Sequence, residues 1–197
     1  TLIANSLPFV LSGQVVVPQN STLAIEKNVT LKGSNDSSFI ISGSLLLNGA
    51  TSSDIVFEAD VNAAPDGYWV GITLETGSKA TLKGFTLRSA GGSITGGSNN
   101  KAGIRAKIPI TIEDALIEDN RNVGVWIDEL STIRNAVFRR HTDGTAGPKA
   151  LFINNTSVTL DTVTFSVNAT GIYASGGSAT ATSTGPVIFE GNTTNTD

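Results

Sequence analysis

The feature that most restricts what this chain can fold into is a repeat. Four segments carry one order of apolar and polar positions: Leu82-Lys83-Gly84-Phe85-Thr86-Leu87-Arg88, Ile112-Glu113-Asp114-Ala115-Leu116-Ile117-Glu118, Ile133-Arg134-Asn135-Ala136-Val137-Phe138-Arg139 and Leu160-Asp161-Thr162-Val163-Thr164-Phe165-Ser166. A shorter segment recurs with them. Gly71-Ile72-Thr73-Leu74 precedes the first, and Gly103-Ile104-Arg105-Ala106, Gly124-Val125-Trp126-Ile127, Ala150-Leu151-Phe152-Ile153 and Gly171-Ile172-Tyr173-Ala174 follow each in turn. The closest of these lie about 21 residues apart and the others are set further apart by inserted loops, so the unit is a short repeat of the kind that builds solenoids. Within each segment apolar residues alternate with period two, which reads as short β-strands, while Gly, Asn, Ser, Asp and Thr interrupt the chain too often for a helix.

Two or three short strands cannot bury an apolar face alone. Stacked as coils at the ~4.8 Å strand spacing, they place Ile, Val, Leu and Phe in continuous inner columns. A sandwich would pair neighbours through hairpins and would not ask for one residue class at one position in four successive units. Leucine-rich repeats have a similar period but need a Leu and Asn pattern that this chain lacks. The expected fold is all-β: a single-stranded right-handed parallel β-helix, or solenoid, of coils near the repeat length, forming one domain over residues 1–197.

The opening residues carry a resemblance. Ser12-Gly13-Gln14-Val15-Val16-Val17, Ser21-Thr22-Leu23-Ala24-Ile25-Glu26, Ile41-Ser42-Gly43-Ser44-Leu45-Leu46-Leu47-Asn48-Gly49-Ala50-Thr51 and Asp54-Ile55-Val56-Phe57, with Trp69-Val70-Gly71-Ile72 after them, resemble the first coils of right-handed parallel β-helix repeat domains in bacterial secreted and cell-surface proteins. The resemblance implies an extracellular or cell-surface, adhesin-like module. It implies little about chemistry, because the fold carries lyases, hydrolases, adhesins and passive stalks.

Composition narrows the partners. The formal charge is −4, and the densest basic cluster is Arg139-Arg140-His141, so nucleic acid is not expected. The chain has no Cys and one His, which excludes disulfides, thiolate nucleophiles and sulfur-based metal sites, and no cofactor or metal is expected. No apolar run reaches the ~18 residues of a membrane span. A chain that starts at Thr1 and contains no Met reads as a piece excised from a longer one.

Stacking puts equivalent outward residues one above another. Lys83, Glu113, Arg134 and Asp161 form one expected column and Arg88, Glu118, Arg139 and Ser166 a second, both alternating in charge until the second ends in Ser166. Cationic neighbours keep such carboxylates ionised, whereas glycoside cleavage needs a carboxyl with a raised pKa, so Glu113, Glu118 and Asp161 are read as structural. A third column runs Thr73, Arg105, Trp126, Phe152, Tyr173 and sets three aromatic rings on successive rungs. Trp126, Phe152 and Tyr173, with Arg105 beside them, are the candidate binding residues, for a glycan, a cell-surface protein or a second copy of the chain. The loops Gly91–Lys101 and Asp143–Pro148 could cover this strip. No catalytic residue is assigned. The alternatives are a polysaccharide lyase or hydrolase of the same fold, which Asn195-Thr196-Asp197 alone resembles among polygalacturonase motifs, and the tip or stalk of a homotrimeric fibre. Finally, Asn120, His141, Asn168 and Asn192 share one slot and predict a ladder of side-chain hydrogen bonds at a turn.

Overall fold

A computed structural model describes residues 1–3, 8–92, 102–142 and 147–197. Among these there is no helix, and the strands follow one another as β1 (Phe9–Leu11), β2 (Gln14–Val17), β3 (Thr22–Glu26), β4 (Val29–Gly33), β5 (Ser38–Ile41), β6 (Ser44–Asn48), β7 (Ile55–Ala59), β8 (Gly71–Leu74), β9 (Lys79–Arg88) and β10 (Ala102–Ala106). The remainder are β11 (Thr111–Glu118), β12 (Val123–Ile127), β13 (Ser131–Arg139), β14 (Lys149–Asn154), β15 (Ser157–Ser166), β16 (Thr170–Ser175), β17 (Thr180–Ser183), β18 (Val187–Glu190) and β19 (Thr194–Thr196). Every strand pairing is parallel. The chain is a parallel β-solenoid of about 7 turns, as the repeat predicts.

One eight-stranded sheet takes a single short strand from each coil, in the order β19-β16-β14-β12-β10-β8-β5-β2, and an eleven-stranded sheet takes the rest. In the early coils that second sheet is built from pairs of short strands. In β9, β11, β13 and β15 each pair fuses into one long bent strand, so that Lys79–Lys83 stacks on β6 and Phe85–Leu87 on β7, and in the last coil the pair separates again as β17 and β18, both stacked on β15. The bend is a single residue in the left-handed region, Gly84 (φ 67), followed one coil at a time by Asp114 (53), Asn135 (48) and Thr162 (57). A second corner closes the strand in the same way at Ser89 (59), Asp119 (52), Arg140 (59), Val167 (56) and Gly191 (62). Asp and Asn tolerate this conformation through local hydrogen bonds, whereas a β-branched residue such as Val167 is strained there. Gly84 is required for a further reason, since a Cβ on it would stand 2.2 Å from the Gly49 carbonyl carbon.

The core is a set of inner columns. Leu31, Phe57, Leu87, Ile117, Phe138, Phe165 and Phe189 stand on successive rungs, and the last three rings stack at 5.1 and 5.3 Å. Ile41, Leu74, Ala106, Ile127 and Ile153 form a column opposite, on the eight-stranded sheet, and all are fully buried. Each such Leu, Ile or Phe contributes about 1.5–3 kcal/mol by leaving water.

The predicted turn ladder is present. Asn120 Oδ1 accepts from Ala90 N at 2.9 Å while its Nδ2 donates to Leu87 O; Asn168 Nδ2 donates to Phe138 O, and Asn192 Nδ2 to Phe165 O. Asn168 Oδ1 accepts from His141 N, and Asn192 Oδ1 from Asn168 N, so each amide ties its own coil to the one before. His141 occupies one rung, fully buried, with Nδ1 3.0 Å from Asn168 Oδ1 and Nε2 3.5 Å from Asn120 Nδ2. Because an amide oxygen only accepts, Nδ1 carries the proton and Nε2 receives the Asn120 N–H. The ladder also explains Gly124, the first residue of its repeat segment: a Cβ there would lie 2.4 Å from His141 Nε2.

Candidate functional site

The charged columns have the predicted register, with Lys83 beside Glu113, Glu113 beside Arg134, and Arg134 beside Asp161. Lys83 Nζ donates to Glu113 Oε1 at 2.7 Å, and that bond holds the Glu113 carboxyl below its ordinary range. The second column starts earlier than the repeat suggests. Lys32 faces Glu58 across β4 and β7, and Arg88 Nε donates to Glu58 at 3.1 Å before the column continues through Glu118 and Arg139. Glu118 is nearly inaccessible, its side chain 3% exposed, and it is met by Arg88 at 3.6 Å, Arg139 at 2.7 Å and Arg140 at 2.6 Å. Arg140 also pairs with the corner residue Asp119 at 2.6 Å, and that hydrogen bond raises its already high pKa. These carboxylates are paired with cations and not set in the apolar surroundings that a general acid requires.

The aromatic column is where the outward face changes character. Thr73, Arg105, Trp126, Phe152 and Tyr173 are register partners on β8, β10, β12, β14 and β16. Val16 and Ile40 continue the column below Thr73, an extension that the four-unit alignment does not reach. The three rings touch. Trp126 and Phe152 meet edge to face with centroids 4.4 Å apart, and Phe152 and Tyr173 lie tilted at 5.3 Å. The Arg105 guanidinium stacks over Trp126 at 4.5 Å, and the Lys149 ammonium sits over Tyr173 at 4.8 Å, so a cation covers each end of the strip. Trp126 is further fixed by donating Nε1–H to Asp128 Oδ1 at 2.9 Å, while Asp128 accepts from Arg105 at 3.3 Å and Asn154 at 2.7 Å. All four residues expected to bind are partly exposed.

Beside the strip lies a pocket of about 200 Å³ lined by Asn122, Val123, Trp126, Gly147, Lys149, Phe152 and Tyr173. Sequence reasoning found its three rings and missed Asn122, Val123 and Lys149. The signal was available in part, because Val123, Lys149 and Thr170 form the column three residues before the aromatic one. Burial pushes the Lys149 ammonium pKa down. The loops expected to cover the strip fall largely at 93–101 and 143–146, outside the described residues. Asn195, Thr196 and Asp197 lie on the last rung, where Asp197 N–H donates to Ile172 O at 3.0 Å.

Fold and site together define a parallel β-solenoid whose outward face carries an aromatic pocket flanked by cations. No family model, curated protein or solved structure matches the chain. Among the described residues no helix is long and apolar enough to cross a membrane, and no group of three or more His, Asp or Glu side chains is placed to hold a metal ion.

Proposed function

We propose that this chain is a non-catalytic, adhesin-like solenoid module, displayed outside the cell or on its surface, that binds a glycan through Trp126, Phe152 and Tyr173. The observation that carries the reading is the continuous half-exposed column of three different aromatic rings beside a pocket. Aromatic rings fixed on rigid strands offer the C–H faces of sugars a large contact at little entropic cost, and the stack sets them one rung apart along the solenoid axis.

The test compares the parent with a Trp126→Ala, Phe152→Ala, Tyr173→Ala variant in a glycan-binding screen and in light scattering across a concentration series. The expected result is a parent of constant mass that binds glycan, and a folded variant whose affinity has fallen by about a hundredfold or more. A parent that self-associates while the variant is a folded monomer would assign the strip to contacts between copies, and would overturn the glycan reading.

A further inference from the structure

We propose that the aromatic pocket selects a neutral N-acetylated sugar, taking the acetamido group of a 2-acetamido-2-deoxyhexopyranose, over the parent hexose. This rests on the glycan reading and adds the substituent that the site recognises. The first observation is that most polar groups of the lining are already engaged. Asn122 Nδ2 donates to Gly91 O at 3.2 Å, and its Oδ1 is closed to solvent. The Lys149 ammonium donates to Gly147 O, lies over the Tyr173 ring and is acted on by the Asp197 carboxylate. The Trp126 indole N–H is held by Asp128, which also pairs with Arg105 beside the strip. A charged sugar would therefore give up hydration here without gaining an uncommitted counter-ion.

The second observation is the wall that remains. With those groups turned to other partners, the pocket of about 200 Å³ presents the rings of Trp126, Phe152 and Tyr173 and the Val123 side chain. An apolar cavity of about 150 Å³ holds a benzene molecule, so this one has room for a substituent of a few atoms. A sugar hydroxyl set against such a wall exchanges water for carbon, a cost that an acetyl methyl does not carry. The third observation is the Tyr173 hydroxyl, the polar side-chain group of the lining that no described residue engages by hydrogen bond. A phenol donates as well as accepts, and the acetamido carbonyl is a strong acceptor. An acetamido group thus matches both features, methyl to wall and carbonyl to hydroxyl. The bare methyl of a 6-deoxy sugar matches only the wall.

The experiment titrates the parent with methyl N-acetylglucosaminide and methyl glucoside, with methyl N-acetylgalactosaminide and methyl galactoside, and with methyl fucoside, following amide shifts by NMR. The members of each pair differ only at C2. At least one N-acetyl member should bind about tenfold more tightly than its partner, because it buries a methyl and spares a hydroxyl. The preference should not change with salt, since no free charge carries it. Saturating the Trp126, Phe152 and Tyr173 ring protons should transfer most strongly to the acetyl methyl. Tyr173→Phe keeps the ring and should reduce the preference severalfold. Equal binding within both pairs, or a preference for the hydroxyl member, overturns the acetamido assignment and leaves the glycan reading standing. Methyl fucoside binding as tightly as the better N-acetyl sugar does the same, since any methyl group would then suffice. An N-acetyl preference without transfer from those rings overturns the placement in this pocket, and one untouched by Tyr173→Phe overturns the role of the hydroxyl. Absence of binding by all five sugars overturns the acetamido assignment, and the glycan reading falls with it only if the broader screen is also empty.

Discussion

At the scale of single residues, the turn ladder sets a pH dependence that can be derived from His141. The ring is fully buried, and loss of hydration pushes its pKa down to about 4, against the pull of the Asn168 hydrogen bond and of Asp119 and Glu118, with Arg140 adding to the depression. In the unfolded chain the same imidazole takes up a proton near pH 6.5. The folded-state value lies below the unfolded one, so as pH falls from about 6.5 to about 4 the unfolded state binds the extra proton and stability is lost, by about 3 kcal/mol in all. Above that window the contribution is fully present. His141→Asn should remove this loss. It would also complete the ladder, since Asn at that rung can reach Ile117 O as Asn120 reaches Leu87 O and Asn168 reaches Phe138 O. Urea denaturation of parent and variant at pH 7 and pH 4.5 checks it: the variant should lose less stability on acidification by about 2–3 kcal/mol. Both chains share every carboxylate, so an equal acid loss in the two would remove His141 from the account.

At the scale of strands and columns, the two charge ladders look alike in sequence and differ in burial. Glu118 is shielded and pinned by three arginines, whereas the Lys83–Glu113 pair is partly exposed. Glu118→Gln keeps the shape and leaves those arginines facing one another. It should cost about 1–3 kcal/mol, below the value for a wholly buried pair because the arginines are about 40% exposed. Glu113→Gln should cost much less, and denaturation midpoints of the two variants settle the comparison; equal costs would mean that burial does not distinguish the ladders. The four-unit repeat was enough to place Arg88, Glu118 and Arg139 in one column, because β9, β11, β13 and β15 are continuous strands of matched length. Lys32 and Glu58 were not legible as members, because β6 and β7 are separated by the Gly49–Asp54 connection and break the repeat length. The same reason hid the corners. A left-handed φ is set by how the coil closes on its neighbours, and Arg140, Thr162 and Val167 are residue types that do not announce it. The aromatic strip was legible from the repeat, and so in part was Lys149, which opens β14 in register with Val123 and Thr170, while Asn122 stands between β11 and β12, where strand periodicity says nothing about neighbours.

At the scale of the whole molecule, the stack has no single centre. Each coil touches only the coils before and after it, so stability is a sum of coil terms and nearest-neighbour interfaces. The described coils are unequal in this respect. Phe138 is fully buried between Ile117 and Phe165, with coils on both sides, whereas Phe189 is only partly buried and β17 and β19 are exposed throughout. Phe138→Ala should therefore cost about 3–5 kcal/mol, the usual range for a large cavity in a packed core. Phe189→Ala should cost about 1–2 kcal/mol, because its site can collapse toward solvent. Hydrogen exchange separates the two more sharply than the total. Truncation at Phe138 should speed exchange in β11, β13 and β15 and in the adjoining β10, β12, β14 and β16, and leave β4 to β7 close to their original rates. Truncation at Phe189 should affect β17 to β19 and the amides of β15 and β16 that donate to them, and leave the earlier coils unchanged. If Phe138→Ala instead raised exchange evenly from β2 to β19, the coils would unfold as one cooperative unit, and a ligand on the Trp126 rung would then stabilise distant coils as much as its own.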